Sequence, residues 1–348
     1  LVAQDGAHGL CHRHFTLGQG VGRSALTDGF DRDGVDHVPG GAGKFGSCAE
    51  ADLVNAAGGG ASLMPYTAQF FAEKLNVPVE YFNPLRNVQF TATPLEPRKK
   101  DRNAHDLGFL FLSTYYRWYR LRHEPAQRDV IVDAGSILAT RFNEKGGYLH
   151  SYVGDNSVFI DTMMNVGIIF YAARETGDRK LRDIAMRHCW TTRRVLVRGD
   201  GSVAHEGIFD TDTGEFLKQT THQGYRGDSC WSRGLAWAAY GFTTAYEYSR
   251  DPHFLETAEA CADFYLRHSG SDGIPPWDFS APAENRTLLD TSSAAIFAAG
   301  LLRLCRLAPN ALKSHFYWTT AVHILRTLCE RHLAKSDAKW EGILKGGV

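Results

Sequence analysis

The 348-residue chain has almost no net charge and no long apolar run. Its 38 lysine and arginine residues nearly balance its 39 aspartate and glutamate residues, which leaves a formal net charge of −1. This balance gives no electrostatic attraction to nucleic acid or to an anionic membrane. No apolar stretch approaches the roughly 20 residues that span a bilayer. Neither nucleic acid nor a membrane is therefore predicted as a partner, and the oligomeric state is left open.

Paired cysteines and a secretory leader are also missing. No two of the seven cysteines form a Cys-x-x-Cys pair, and the following five fall in helical patterns: Cys189, Cys230, Cys261, Cys305 and Cys329. Buried, reduced thiols fit this distribution better than disulfides or a zinc site, which favours the cytoplasm. The first residues lack a basic start followed by an apolar core. Because residue 1 is not methionine, a periplasmic location stays open.

Several common catalytic motifs are absent as well. The sequence contains no GxSxG, HExxH or P-loop motif, so serine hydrolase, zinc protease and kinase chemistry have no support. His8, His12 and His14 lie close together, but no carboxylate or cysteine pattern around them completes a metal site. No metal is predicted.

The first 103 residues differ in character from the rest. Residues 1–49 are glycine-rich with little apolar periodicity, which predicts poor order. Residues 50–90 read as strand, Gly-rich loop, helix and strand, a small αβ segment. The stretch GGGASLMPYTAQFFAEKLNVPVEYFNPLRNV resembles the C-terminal part of actin-like type IV pilus assembly ATPases, without their other nucleotide-binding motifs. It is interpreted as a fragment of unrelated origin, joined by a charged, Pro-rich linker at 91–103.

From residue 104 onward the pattern is helical. Apolar spacing and end signals predict helices at 105–122, 126–141, 158–176, 178–197, 229–249, 252–268, 290–306 and 314–334. Helices rich in small residues alternate with more charged ones, as in a helical solenoid or a closed ring of hairpins.

Aspartates recur at the starts of these helices. Asp106, Asp161, Asp228 and Asp290 each precede a helix rich in small or apolar residues. In a ring, the first three would meet at one mouth, with the long loops 199–228 and 269–289 on the same side. Long loops in compact domains are more often functional than decorative.

Two of these aspartates are candidates for acid–base chemistry. Asp161 stands between apolar residues in VFIDTMMN, and such surroundings raise the pKa of a carboxyl group. The alternative is a simple N-cap, and Asp106 in HDLGFLF has the same two interpretations. If the two carboxyl groups face each other, one is favoured to hold a proton, as acid–base work on a sugar requires.

The stretch HQGYRGDSCWSRGLAW is the densest in functional side chains. Asp228 and Ser229 are predicted to cap the helix that follows. Arg233 and Trp237 lie four residues apart, so they share one side of that helix and suit the floor of a site for an anionic ring. A core tryptophan beside a surface arginine is an equally good interpretation.

Three loop residues are weaker candidates. His205 in GSVAHE and Gln223 in HQGY are placed to bind sugar hydroxyls, and Trp277 in GIPPWDF to wall a sugar ring. For each, a structural role in the loop is the more common alternative.

Seven stretches resemble, in order, the unsaturated glucuronyl hydrolases of glycoside hydrolase family 88. They are HDLGFLF, RFNEKGGYL, FIDTMMN, DGSVAHE, HQGYRGDSCWSRGLAWAAYGF, DGIPPWDF and DTSSAAIFAAGLL. The resemblance covers residues 104–348 and implies an all-α (α/α)6 barrel of helical hairpins. It implies hydration of the vinyl ether in a 4,5-unsaturated glucuronyl residue at the non-reducing end of lyase-generated glycosaminoglycan-type oligosaccharides, without a cofactor. The unsaturated rhamnogalacturonyl hydrolases, which share the fold, are an alternative.

The same resemblance assigns roles to the candidates. Asp161 protonates C4 and activates the water that adds at C5, while Asp106 positions the ring and tunes Asp161. The sugar-contacting positions are His205, Gln223, Arg233 and Trp237, and Tyr152 stands where the family usually has tryptophan. The barrel is expected to be incomplete at both ends, so a remnant that binds a sugar acid without turnover is the alternative function.

Overall fold

The computed structural model describes residues 92–334 and 343–347. The predictions for residues 1–49 and 50–90 lie outside this part of the chain. The described residues form two compact units. One unit combines the described residues up to Lys99 with Leu110–Ile131. The other combines Lys100–Phe109 with the described residues from Val132 onward.

The helices occur where the sequence predicts them, with one extra break. In residues 92–334 they are α1 (Leu107–Ser113), α2 (Tyr115–Arg122), α3 (Pro125–Ala139), α4 (Thr162–Thr176), α5 (Arg179–Leu196), α6 (Ser232–Ser249), α7 (Pro252–His268), α8 (Thr291–Leu307) and α9 (Ala311–Thr327). The single helix predicted at 105–122 is wrong, because Thr114 leaves the helical region (φ −118°, ψ −80°) and separates α1 from α2. A short 3₁₀ helix, Thr93–Lys100, lies within the predicted linker.

The second unit is built from helical hairpins. Its three hairpins after Val132 in the described chain are α4–α5, α6–α7 and α8–α9, and the last runs into a π-helical turn, Leu328–His332. Helix α6 packs against both α4 and α8, and the second helix of each hairpin packs on the first. The predicted all-α class is confirmed. No helix in residues 92–334 is long and apolar enough to cross a bilayer.

Local signals set the hairpin turns. Gly177 ends α4 in the left-handed region (φ 73°), and the Asp178 side chain then caps α5 by accepting from the amides of Lys180 and Leu181. Asp251 caps α7 in the same way, with Pro252 as the first helical residue. Proline suits that position because its missing N–H would have no partner there. The predicted boundaries at these turns are confirmed.

Small residues let the first helices of neighbouring hairpins approach closely. A Cβ atom on Gly241 of α6 would lie 2.5 Å from the Cβ of Met163 in α4, nearer than real side-chain atoms pack. The face of α6 is otherwise apolar and buried, through Leu235, Ala238 and Phe242. This close packing places the start of α4 against the middle of α6. Ile160, just before α4, lies against the first turn of α6, because a Cβ atom on Gly234 would lie 3.2 Å from its Cγ2.

Two small sheets stand beside the starts of these helices. Strands β1 (Phe142–Asn143) and β2 (Tyr148–Leu149) form an antiparallel pair. Strands β3 (Ser157–Phe159), β4 (Glu206–Phe209) and β5 (Phe216–Thr220) form an antiparallel sheet in that order. The predicted helix at 158–176 is therefore wrong in its first turn, because Phe159 pairs with Glu206 instead.

Candidate active site

Asp161 precedes α4 without capping it. Its backbone is already helical (φ −55°, ψ −31°), and its side chain makes no capping hydrogen bond. The Oδ2 atom is buried and has no hydrogen-bond partner in the described chain. The N-cap interpretation of Asp161 is therefore wrong, and its carboxyl group is available for chemistry.

His205 faces this carboxyl group in a defined tautomer. Its Nε2 lies 3.6 Å from Asp161 Oδ2. Its Nδ1 accepts from the backbone amides of His222 (3.1 Å) and Gln223 (3.4 Å). Because Nδ1 is an acceptor, the proton of the neutral ring lies on Nε2 and points towards Asp161. Burial, assisted by the charges of neighbouring histidines, lowers the pKa of His205 to about 3, so the ring is neutral.

Burial also sets the protonation of Asp161. The loss of solvent raises the pKa of its carboxyl group to about 6, and the charge of Asp106 acts in the same direction. The charges of His105 and Arg233 oppose this rise without cancelling it. A carboxyl group with this pKa can both donate and accept a proton near neutral pH.

Asn165 joins the two candidate aspartates. Its Nδ2 donates to Asp106 Oδ1 (3.4 Å) and to the backbone oxygen of Asp161 (3.2 Å), and its Oδ1 accepts from the amide of Phe109 (2.8 Å). Gly108 permits this approach, since a Cβ atom there would lie 2.4 Å from the Cα of Asn165. Asp106 and Asp161 thus belong to one hydrogen-bonded group.

Asp106 differs from Asp161 in its charge state. Partial burial would raise its pKa, but the hydrogen bond and charge of His105, then Asn165 and Arg141, outweigh it and lower the pKa. The Nε2 of His105 lies 3.2 Å from Asp106 Oδ1, and about half of the Asp106 side chain is exposed. The environments thus move the two pKa values apart, which is how paired carboxyl groups acquire different roles.

Arg233 and Trp237 lie in the first turns of α6. Arg233 Nε donates to Asp290 Oδ2 (3.1 Å), and its guanidinium lies 5.1 Å from the ring centre of Trp231. Trp237 instead meets the ring of Phe109 edge-on at 5.0 Å. Its buried Nε1 has no hydrogen-bond partner among the described residues.

The candidate loop residues are tied to one another. Trp277 Nε1 donates to the backbone oxygen of Gln223 (2.8 Å). The Gln223 side chain takes no part in this bond and is exposed. Tyr152 is 65% exposed, and its ring centre lies 5.2 Å from that of His105. These side chains present polar and aromatic groups to solvent, as a sugar subsite requires.

The predicted capping of α6 is wrong. Trp231 occupies the N-cap position without a side-chain cap, and α6 begins at Ser232. Ser229 Oγ donates to the buried carboxylate of Asp278 (2.6 Å). Asp228 is exposed and pairs with Arg226 (2.9 Å), so its carboxylate does not join the hydrogen-bonded group of Asp106 and Asp161.

Several supporting side chains are not among the residues predicted from the sequence. Asn165 lies one helical turn after Asp161, a spacing that places both on one side of α4. Glu206 is buried and binds His222 Nε2 at 3.0 Å, beside His205. Both are polar residues in apolar stretches, a signal that can be found in the sequence.

Within residues 92–334, no three His, Cys, Asp or Glu side chains lie together as possible metal ligands. The absence of a metal or cofactor stays a prediction.

Comparison with known proteins identifies the family. Residues 89–321 match the model of Glycosyl Hydrolase Family 88. The chain belongs to this family. The unsaturated glucuronyl hydrolase of Formosa agariphila is 34% identical, over 72% of this chain and 64% of that protein. The unsaturated chondroitin disaccharide hydrolase of Streptococcus pyogenes serotype M1 is 29% identical, over 70% of this chain and 62% of that protein. The chain thus spans less than two thirds of both relatives.

A solved structure shows the shared fold. The crystal structure of an unsaturated glucuronyl hydrolase specific for heparin matches with a TM-score of 0.72 at 32% identity, over 76% of this chain and 72% of that one. The predicted family and the (α/α)-barrel fold class are confirmed.

Proposed function

We propose that this family 88 member is an unsaturated glucuronyl hydrolase. It removes the 4,5-unsaturated glucuronyl residue from the non-reducing end of lyase-generated glycosaminoglycan-type oligosaccharides. One observation carries the proposal: the buried Asp161, with a pKa of about 6 and no capping role, belongs to the same group as the ionised Asp106. Family membership supports the same reaction.

The proposed reaction is hydration of a vinyl ether. Asp161 gives its proton to C4 of the C4=C5 double bond, and positive charge develops at C5 and the ring oxygen. Water adds at C5 and loses a proton to the Asp161 carboxylate, which restores the acid. The resulting hemiketal opens and the glycosidic bond breaks, with one water consumed. Rules that link carboxylate separation to retention or inversion do not apply, because the anomeric carbon is not attacked.

The surrounding residues have complementary roles in this proposal. The ionised Asp106 binds ring hydroxyls and raises the pKa of Asp161 through its charge. His205 presents its Nε2–H to the same carboxyl group and steadies the carboxylate after proton transfer. Arg233 and Gln223 bind polar groups of the sugar, and aromatic faces at Trp237, Tyr152 and Trp277 pack against its rings.

The compartment is proposed on separate grounds. The cysteines of the described chain form no disulfide with one another. Cys189, Cys230, Cys261 and Cys305 are buried and Cys329 is exposed. Free thiols are usual in the cytoplasm, which we infer as the location, with the periplasm as the alternative.

The test is loss of the ultraviolet absorbance of the conjugated double bond. Wild-type protein is expected to remove it from unsaturated chondroitin or heparin disaccharides, and Asp161→Asn to lower the rate by about 10²–10⁴-fold, the contribution of general acid–base catalysis. Asp183→Asn, an exposed carboxylate on α5, serves as the control with unchanged activity.

The substrate panel separates the alternatives. Turnover of an unsaturated rhamnogalacturonyl disaccharide instead of the glucuronyl ones would reassign the substrate. Calorimetric binding of an unsaturated disaccharide without turnover by the wild type would indicate a sugar-binding remnant. Undiminished turnover in Asp161→Asn would remove Asp161 from its role.

A further inference from the structure

Arg141 is a buried cation whose hydrogen bonds within the described chain go to backbone oxygens and to one histidine ring. It lies between α3 and β1 and is 5% exposed. Its Nε donates to the carbonyl oxygen of His150 (2.9 Å), and its Nη2 to that of Ser151 (2.5 Å) and to the His150 ring (3.0 Å). Its Nη1 donates to the carbonyl of Arg102. A buried guanidinium is costly unless its donors are satisfied, and here the planar fork is satisfied by two separate chain segments.

These two segments carry candidate site residues. The segment held at Arg102 leads directly into His105 and Asp106, and the segment held at Ser151 leads into Tyr152. The segments also meet through His105, whose Nδ1 accepts from the amide of Tyr152 (3.0 Å) while its Nε2 lies 3.2 Å from Asp106 Oδ1. The orientation of His105, and hence of the Asp106 carboxylate, depends on both segments keeping their spacing.

Other bonds to the Ser151 segment do not replace this guanidinium. Ser151 is held to Ser157 by its amide (2.8 Å) and by its hydroxyl (2.8 Å). Those bonds fasten the segment to β3 only. In the described chain, the side-chain bonds of Arg141 are the ones that reach both Ser151 and Arg102.

We propose that Arg141 is a positioning residue of the active site, which clamps the segment carrying His105 and Asp106 to the segment carrying Tyr152. It acts through these segments and does not touch the sugar. The expected effect of Arg141 on turnover rests on the proposed function, whereas the clamp itself is a property of the fold. Its loss lets His105 turn and moves Asp106 out of register with Asp161.

Arg141→Lys tests the clamp because it keeps the positive charge and removes the fork. We expect kcat to fall about 10- to 100-fold, since small misplacements of catalytic groups have effects of this size, with KM changed less than about threefold. Arg187→Lys is the matched control. Arg187 binds the side chain and backbone of Glu144 in the β1–β2 turn, but in an exposed position, and its variant should keep wild-type kcat.

Hydrogen exchange gives a readout that needs no activity. The amide of Tyr152 donates to His105 Nδ1 and the amide of Val153 donates to Ser151 Oγ. In Arg141→Lys the exchange of these two amides should quicken at least about tenfold, while amides in α4 and α8 stay protected. Arg141→Met also removes the positive charge. It should show the same faster exchange at the amides of Tyr152 and Val153, and a larger fall in kcat than Arg141→Lys.

The outcomes are distinct. Wild-type kcat together with wild-type exchange in Arg141→Lys would overturn the proposal. Failure of both variants to fold would make Arg141 a general stability residue and would also overturn it. A wild-type protein inactive on every disaccharide would defeat the proposed function, and the exchange measurement alone would then decide the clamp.

Discussion

Two helices of the second unit, α4 and α8, begin at the threonine of the same dipeptide, Asp-Thr, with opposite results. Before α8, Asp290 is extended (φ −121°, ψ 88°), and its Oδ1 accepts from the amide of Ser293 while its Oδ2 accepts from Arg233. Before α4, Asp161 is already helical and leaves its Oδ2 without a hydrogen bond. One aspartate is a structural cap, and the other is a buried acid.

The backbone angle at this residue produces the difference. An extended residue turns its side chain back over the free amides of its own helix, where the N-terminal dipole favours the anion. A helical residue projects its side chain sideways, here towards the neutral ring of His205. Burial without such donors raises the pKa of the Asp161 carboxyl group, which therefore keeps its proton to a higher pH than a free aspartate does.

The largest expected difference between them is in stability. Asp290→Ala should lower the free energy of unfolding by about 2–4 kcal/mol, because it removes a helix cap and the ion pair between Asp290 and the partly buried Arg233. Asp161→Ala removes neither, and at pH 7 it removes a carboxylate that burial destabilises, so the free energy of unfolding should stay unchanged or rise by up to about 3 kcal/mol. Urea denaturation at pH 7 measures both. Equal losses in the two variants would show that Asp161 is structural after all.

A second prediction concerns the pH dependence of this contrast. The pKa of Asp161 is raised from 3.8 to about 6 in the folded protein, so the folded state binds the proton more tightly than the unfolded state. Between these two values, its carboxyl group therefore destabilises the fold progressively as the pH rises, by up to about 3 kcal/mol. Relative to wild type, Asp161→Asn should gain about 1–3 kcal/mol of stability on going from pH 4 to pH 8.

The control for this pH effect is an exposed carboxylate. Asp183 on α5 is 62% exposed and lies 3.7 Å from Arg187 Nη1, so Asp183→Asn makes the same chemical change outside the site and is measured at the same two pH values. A flat difference for Asp161→Asn would contradict the raised pKa, and with it the assignment of Asp161 as the proton donor.

The hairpins were predictable because their signals are local. Gly177 and Asp178 lie next to each other in sequence and end one helix and start the next, and Asp251 with Pro252 does the same. The errors occur where distant residues decide. The extended stretch Ser157–Phe159 exists because it pairs with β4, nearly fifty residues later, and no local pattern distinguishes such a short apolar strand from a buried helix.

The site shows the same division. Asp106 and Asp161 were found from their apolar surroundings, but the sequence does not distinguish Asp161 from Asp290, since both precede threonine and a helix. Arg141 was missed because its acceptors are backbone carbonyls, which carry no sequence signal. Tertiary contacts of this kind position the reactive groups, and they are visible only in the structure.

The smallest predicted effect concerns the hydroxyl group behind His205, whose Nε2 lies 3.6 Å from Asp161 Oδ2. Thr221 Oγ1 lies 3.2 Å from His205 Nδ1 and accepts from the amide of Gly224 (2.7 Å), so it helps the loop amides hold the His205 tautomer. Thr221→Val keeps the shape and removes the hydroxyl, and kcat/KM should fall about 3- to 10-fold, the equivalent of one hydrogen bond. The matched control is Thr220→Val, whose hydroxyl has no hydrogen bond in the described chain, and it should match wild type. A loss in Thr220→Val equal to that in Thr221→Val would assign the effect to the strand and not to the histidine.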